Sequence, residues 1–245
     1  MTAKISVNNL PTKDRQHCCN CNLNSLCMAV SLDTREMSKL DEIIARGKPL
    51  SKGHQLTVQG DPFKCVFAIK TGSVKTVTTS CNGDAQITGF YFPGDLIGLN
   101  AIDSGICQDT VSALETTTVC QIQFEQLDDL SAQMPKLRRQ ILKTMSKDLC
   151  NEQHMLQLLA NKNADQRIAT FLLRLSNRFK ARGFSESRFR LSMSRNEIGN
   201  YLGITVETVS RVLTRLQKNG YIKVENKEID LINFKALLQL SQESE

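Results

Sequence analysis

Four cysteines fall within ten residues near the start of this 245-residue chain, in Cys18-Cys19-Asn-Cys21-Asn-Leu-Asn-Ser-Leu-Cys27. Cys18, Cys21 and Cys27 make a C-x₂-C-x₅-C pattern. The C-x₂-C step lets two thiolates reach one metal centre, and the five-residue return supplies a third. All-thiolate sets suit zinc or an iron–sulfur cluster. Three ligands are incomplete, since a [4Fe–4S] cluster takes four cysteines. Spacing alone does not select the fourth among Cys65, Cys81, Cys107, Cys120 and Cys150. His17, beside Cys18, leaves a mixed zinc site open. Cys19 adjoins Cys18 directly and points elsewhere. The scattered Cys65, Cys81, Cys107 and Cys150 read as small buried hydrophobes.

The second chemistry lies at the other end. Between Ala164 and Gly220 stand eleven Lys and Arg against four Asp and Glu, whereas the whole chain carries a net charge of only +6. Such concentration suits a polyanion. Inside it, Ser194-Arg-Asn-Glu197 has the form of a capping box that opens a helix over 195–202, and Gly203 supplies a turn. Thr205 caps a second helix, 206–219, which Gly220 ends. This is a helix-turn-helix. Val206, Val209, Leu213 and Leu216 form its inward stripe, and Glu207, Ser210 and Arg211 face outward. Arg pairs with guanine O6 and N7, Glu accepts from cytosine N4, and Ser adapts to either. Arg215 and Lys218 lie where phosphates pass. The segments 221–225 and 228–232, joined at Asn226-Lys227, form a hairpin wing.

These sites need elements to hold them. Glycines about every ten residues from Gly53 to Gly105 separate Thr- and Val-rich runs (65–79, 85–99, 111–124), the rhythm of an antiparallel sandwich or barrel. Short helices are expected at 33–44 and 124–130, and a strand at 189–193. A long helix over 135–161 begins with Pro, which suits a first turn. Along it Leu142, Met145, Leu149, Leu156 and Leu159 form a narrow seam with Glu152 in the missing position, the pattern of pairing with a second copy. A further helix, 164–182, ends at Gly183. No stretch reaches the roughly 18 apolar residues of a membrane span, and the first residues lack an apolar leader core, so the chain is expected to be cytoplasmic. No nucleotide-binding glycine fingerprint and no Ser/His/Asp set points to an enzyme.

The motifs C-x₂-C-x₅-C at 18–27, Gln86-Ile-Thr-Gly-Phe, Pro93-Gly-Asp-Leu-Ile-Gly98, Leu114-Glu-Thr…Val-Cys120 and Ile198-Gly-Asn-Tyr-Leu-Gly-Ile-Thr-Val-Glu-Thr-Val-Ser-Arg211 together resemble the FNR regulators of the CRP–FNR superfamily, over nearly the whole chain. The resemblance implies an α+β fold: an N-terminal antiparallel β-roll of the cyclic-nucleotide-binding kind, a long dimerisation helix and a C-terminal winged helix-turn-helix. It implies a Cys-rich segment 1–30, a roll 31–133, the helix 134–162 and a DNA-binding domain 163–245. It implies one [4Fe–4S] cluster per subunit on Cys18, Cys21, Cys27 and Cys120, and base contacts by Glu207, Ser210 and Arg211. It also implies an oxygen-responsive regulator of anaerobic genes, a homodimer when active and a monomer after cluster loss in air. Such a regulator acts at palindromic TTGAT…ATCAA-type DNA, with RNA polymerase contacted through 80–85 and 116–118. The alternative is a cyclic-nucleotide-dependent regulator. It is disfavoured because Gln108-Asp-Thr-Val-Ser112 stands where those relatives carry a phosphate-binding Arg-Ser pair.

Overall fold

The computed structural model describes residues 17–23 and 25–242. A short 3-10 turn, Cys18–Asn20, leads to α1 (Thr34–Glu42), which Asp33 opens with a capping box to Glu36. Eight strands follow: β1 (Ile44–Arg46), β2 (Gln55–Thr57), β3 (Cys65–Thr71), β4 (Val74–Thr79), β5 (Ala85–Tyr91), β6 (Leu96–Ile97), β7 (Thr110–Ala113) and β8 (Thr118–Gln123). They form two antiparallel sheets, ordered β1-β8-β3-β6 and β2-β7-β4-β5. The run 65–79 is thus two strands hinged at Gly72, and 85–99 is broken by the turn at Pro93-Gly94-Asp95. The helix α2 (Phe124–Gln133) runs three residues beyond its expected end.

The long helix α3 (Pro135–Asn161) has the expected bounds, with Pro at its first turn. Next come α4 (Ala164–Ala181), β9 (Arg188–Arg190), α5 (Arg195–Leu202), α6 (Val206–Lys218), β10 (Ile222–Glu225), β11 (Glu228–Leu231) and α7 (Phe234–Gln242). The short strand lies earlier than 189–193 because β9 pairs with β11 and completes a three-stranded wing, β10-β11-β9. Among the described residues no helix is long and apolar enough to cross a membrane.

Three apolar clusters position the functional ends. One unites Met28, Ala29 and Leu32 with Leu40, Val66, Leu96, Ile122, Leu127 and Leu137, so the segment after Cys27 is seated on the roll and on the first turns of α3. A second fills the roll. The third joins Ile87, Phe90, Phe92 and Leu114 of the roll to α4, α5 and α6, so the C-terminal unit docks on the β5 side and shares a core with it. Polar bonds reinforce this seat. Asn200 Nδ2 donates to the Ala85 carbonyl, its Oδ1 accepts from the Ile87 amide, and Lys75 pairs with Glu197 at 2.8 Å. The free edge of β5 is thereby covered in part.

The scattered cysteines are not core residues. Cys81 and Cys150 are exposed, and Cys65 and Cys107 are half-buried. Cys81 lies in a turn and Cys150 on the outer side of α3, while Cys65 packs at the edge of the roll's apolar cluster.

Candidate DNA interface and cysteine site

Local sequence fixes the helix-turn-helix. Ser194 accepts from the Glu197 amide and Glu197 returns the bond to the Ser194 amide. Gly203 takes φ +63° and ends α5. Thr205 accepts from the Thr208 amide and opens α6. The turn folds back tightly on α5: a Cβ on Gly199 would lie 2.6 Å from the Ile204 carbonyl oxygen and 3.4 Å from Val209 Cγ2 of α6. Val209, Val212, Leu213 and Leu216 face the core. Val206 is exposed at the first helical position, and Val212 takes the inward place expected of it. Burying this stripe contributes about 1.5–3 kcal/mol per side chain.

Glu207, Ser210 and Arg211 are accessible along one side of α6. Ser210 accepts from Arg195 at 3.2 Å, and Arg211 reaches Thr208 at 3.4 Å. Glu207 is held ionised below its usual range, first by its own backbone amide, then by Thr205, with Arg211 adding a smaller share. Arg215 is not free: its guanidinium grips the Asp165 carboxylate. Arg167 has a role that charge counting missed. It donates to the carbonyls of Leu159, Lys162 and Leu202 at 2.8–2.9 Å, tying the end of α3 to the turn of the motif. Arg211→Ala is expected to cost about 1–3 kcal/mol of operator binding and to relax preference at one base pair, whereas a phosphate contact would weaken all sequences alike. Competition binding against single-base operator variants reads this.

At the far end of the roll the N-terminal segment meets β8. Cys120 pairs across the sheet with Arg46 on one side and Ala68 on the other. Arg46 Nη2 lies 3.8 Å from Cys18 Sγ and grips Asp41, which in turn accepts from the Cys18 amide at 2.9 Å and bonds His17. Burial, then Asp41, pushes the Cys18 thiol up to about 12. Burial pushes Cys27 up to about 11 and also raises Cys120. Charge on Cys120 is felt at both Cys18 and Cys27, and Cys21 is felt at both Cys27 and Cys120. Arg46 thus links Cys18 to the strand position of Cys120, Cys27 and Cys120 border the same apolar cluster, and these three, with Cys21, are thiols, the soft donors that iron takes. In this respect the donor set fits an iron–sulfur group. Among the described residues, however, no three Cys, His, Asp or Glu side chains are close enough to hold one ion as they stand.

The sequence profile of the Crp-like helix-turn-helix domain matches residues 166–240, and that of the cyclic nucleotide-binding domain matches 48–134. The transcriptional activator protein anr of Pseudomonas aeruginosa is 52% identical over 233 residues, which cover 95% of this chain and 94% of the relative. The fumarate and nitrate reduction regulatory protein of Escherichia coli is 48% identical, covering 92% and 90%. The chain belongs to the CRP–FNR family of transcription regulators, in its FNR branch. The structure is similar to that of FixK2 from Bradyrhizobium japonicum, with TM-score 0.74 and 28% identity over 83% of this chain and all of that one. A CooA mutant from Carboxydothermus hydrogenoformans shares the fold at TM-score 0.68 and 19% identity, over 82% of this chain and 89% of that one. Like other members of the family, this FNR-type regulator is a DNA-binding protein and not an enzyme.

The FNR-type chain keeps a cavity of about 160 Å³ between the roll and α3, bordered by Tyr91, Asn100, Asp109, Met145, Asp148 and Glu152. Asp109 Oδ1 accepts from Thr78 and Thr88, and Oδ2 from Asn100, so a carboxylate of the protein itself takes the donors there. Burial, then Asp95, with a smaller share from Glu152, pushes Asp148 up to about 6. A carboxyl raised in the folded state costs stability as pH climbs from the ordinary value of 3.8 to about 6. Asp148→Asn is therefore expected to stabilise the fold at pH 7 by on the order of 2 kcal/mol and to change nothing below about pH 4. Urea unfolding at both pH values measures it.

The seam residues lie as follows on α3. Leu142, Leu149 and Leu156 are 57%, 58% and 68% exposed, and Met145 and Glu152 are exposed with them. Leu159 instead packs partly against the C-terminal core. Of the stretch 116–118, Thr117 is buried, its hydroxyl donating to the Ser73 and Glu115 carbonyls, while Thr116 is exposed.

Proposed function

We propose that this chain is a cytoplasmic, oxygen-responsive global regulator of anaerobic gene expression that binds DNA as a homodimer. What supports the reading is the place of Cys120 in a central strand, opposite Arg46, which approaches Cys18, and its packing on the same apolar cluster as Cys27. The name of the Escherichia coli relative, a fumarate and nitrate reduction regulatory protein, supports the anaerobic part. Cys18, Cys21, Cys27 and Cys120 would hold one [4Fe–4S] cluster. When bound, the group would supply an oxygen-labile centre.

The rest is work for the chain's own residues. Asp41 orders the 3-10 turn through the Cys18 amide, and Met28 with Leu32 seats the loop on the roll. The exposed strip Leu142, Met145, Leu149 and Leu156 offers a face for a second copy, with Glu152 opposing closure in the inactive form. Two copies would offer two recognition helices about one helical turn apart, hence a palindrome of the TTGAT…ATCAA type. Glu207, Ser210 and Arg211 would read its bases. The exposed segment 80–85 and, of the stretch 116–118, Thr116 would be the surfaces for RNA polymerase. Asp109, occupying its hydroxyl and amide donors with a negative charge, would repel a cyclic nucleotide phosphate.

Anaerobic purification tests the proposal. A brown protein with about four iron and four sulfide per chain, absorbing near 400 nm and losing operator binding in air, is expected. A colourless protein that binds cyclic nucleotide, or one whose DNA binding ignores air, overturns it.

A further inference from the structure

The cysteine loop touches more than the roll. Leu26, next to Cys27, lies so close to the Pro93-Gly94-Asp95 turn that a Cβ on Gly94 would stand 2.9 Å from Leu26 Cβ. That turn is stiff. Gly94 donates to the Ile69 carbonyl, the Ile69 amide donates to the Asp95 carbonyl, and the Asp95 carboxylate accepts from the Phe92 amide. Gly94 takes φ +91°, which an L side chain rarely adopts. The other side of the turn holds the DNA-binding unit. Asp95 Oδ1 accepts from Arg182 at 2.7 Å and Oδ2 from Arg178 at 2.5 Å. Arg182 Nε donates to the Pro93 carbonyl, Arg178 donates to the Phe90 carbonyl, and Arg178 lies 4.8 Å over the Phe92 ring. The Arg182 side chain is only 6% exposed, so it depends on this carboxylate.

We propose that Asp95 is a positioning residue that couples the cysteine loop of the same chain to α4. A movement of Leu26 against Gly94 would be passed to the two arginines and so to the seat of the helix-turn-helix. This route runs within one subunit, through Gly94 and Asp95 and not through the leucines of α3. It rests on the oxygen-sensing reading above. The sequence alone does not disclose it, because Asp95 and its arginines are more than eighty residues apart.

The experiment is amide hydrogen exchange on the full-length chain, before and after air, for wild type, D95N and the milder R178K. In wild type, residues 174–183 are expected to exchange about fivefold or more faster after air, reflecting local loosening of α4. D95N is expected to retain iron and sulfide and still to change sedimentation in air, while the α4 difference shrinks below about twofold. R178K is expected to fall between them. A purely structural ion pair would speed exchange equally in both states and leave the difference intact. That result, or a wild type whose α4 ignores air while its cluster is lost, overturns the coupling. Were wild type to contain no iron, the sensing reading itself would fail. The contact would then be judged on residues 25–28, where D95N must speed exchange and an unchanged rate rejects it.

Discussion

Cys120→Ser is expected to reduce iron in the anaerobic protein from about four per chain to below about one, and to lower anaerobic operator affinity at least about a hundredfold, to the wild-type value in air. The size of the effect follows from where Cys120 stands. β8 is hydrogen-bonded on both sides, by β1 at Arg46 and by β3 at Ala68, so this thiol is fixed while the other three arrive on a loop. A loop ligand can be replaced by a shift of the chain; a ligand in a central strand cannot. The hydroxyl of Ser stays protonated and is a poor ligand for iron. Folding should be little affected, since Cys120 is half-buried and Ser is nearly isosteric. Cys81→Ser and Cys150→Ser are the controls. Both side chains are exposed, and both variants should keep iron and DNA binding at wild-type values. Iron analysis beside operator titration in an anaerobic chamber decides the matter. A Cys120→Ser protein with a full iron complement would remove this residue from the site, and equal losses in all three variants would point to general thiol damage instead.

What the sequence disclosed and what it hid divide along contact range. The bounds of α3 and α5 and the start of α6 were legible because capping is local: Pro135, Ser194 with Glu197, Gly203 and Thr205 each act within four residues of the end they define, while α6 ends one residue early, at Lys218. The outward triad on α6 was legible for the same reason, through helical periodicity. The inward stripe was misread by one residue, because periodicity does not tell that the first helical position, Val206, overhangs its support while Val212 reaches the core. Cys120 could not be chosen by spacing among five candidates; only family resemblance singled it out, and in the structure it stands opposite Arg46, whose guanidinium approaches Cys18. Arg167 and the Arg178–Asp95–Arg182 group were invisible. In a linear reading they are units of positive charge in a basic stretch, and only the docked fold turns them into ties between elements. The scattered cysteines illustrate the converse: residue type suggested burial, but Cys81 sits in an exposed turn and Cys150 on the outer side of α3.

Glu152→Ala is expected to yield a dimer in air, where the wild type is expected to sediment as a monomer. Leu142, Leu149 and Leu156 stand seven residues apart on α3 and more than half of each is exposed, so pairing two copies removes a continuous apolar strip from water. Each buried leucine contributes up to about 1.5–3 kcal/mol, against association costs of about 4–15 kcal/mol. The balance is close, and a small repulsion decides it. Glu152 interrupts the strip at the position between Leu149 and Leu156, so dimerisation brings two carboxylates toward each other among leucines. At an effective dielectric of about 20, like charges several ångströms apart cost on the order of 2 kcal/mol, or about thirtyfold in the dimerisation constant. Removing both charges returns that factor. Asp148, one turn away, is raised first by burial and then by Asp95, with the smallest share from Glu152, so its pKa should fall slightly in the variant. Glu152→Gln should behave like the alanine variant if charge is the cause, and like wild type if side-chain bulk is. A Glu152→Ala chain that remains monomeric in air at concentrations thirtyfold above the wild-type anaerobic midpoint would show that the seam is gated by something other than this charge.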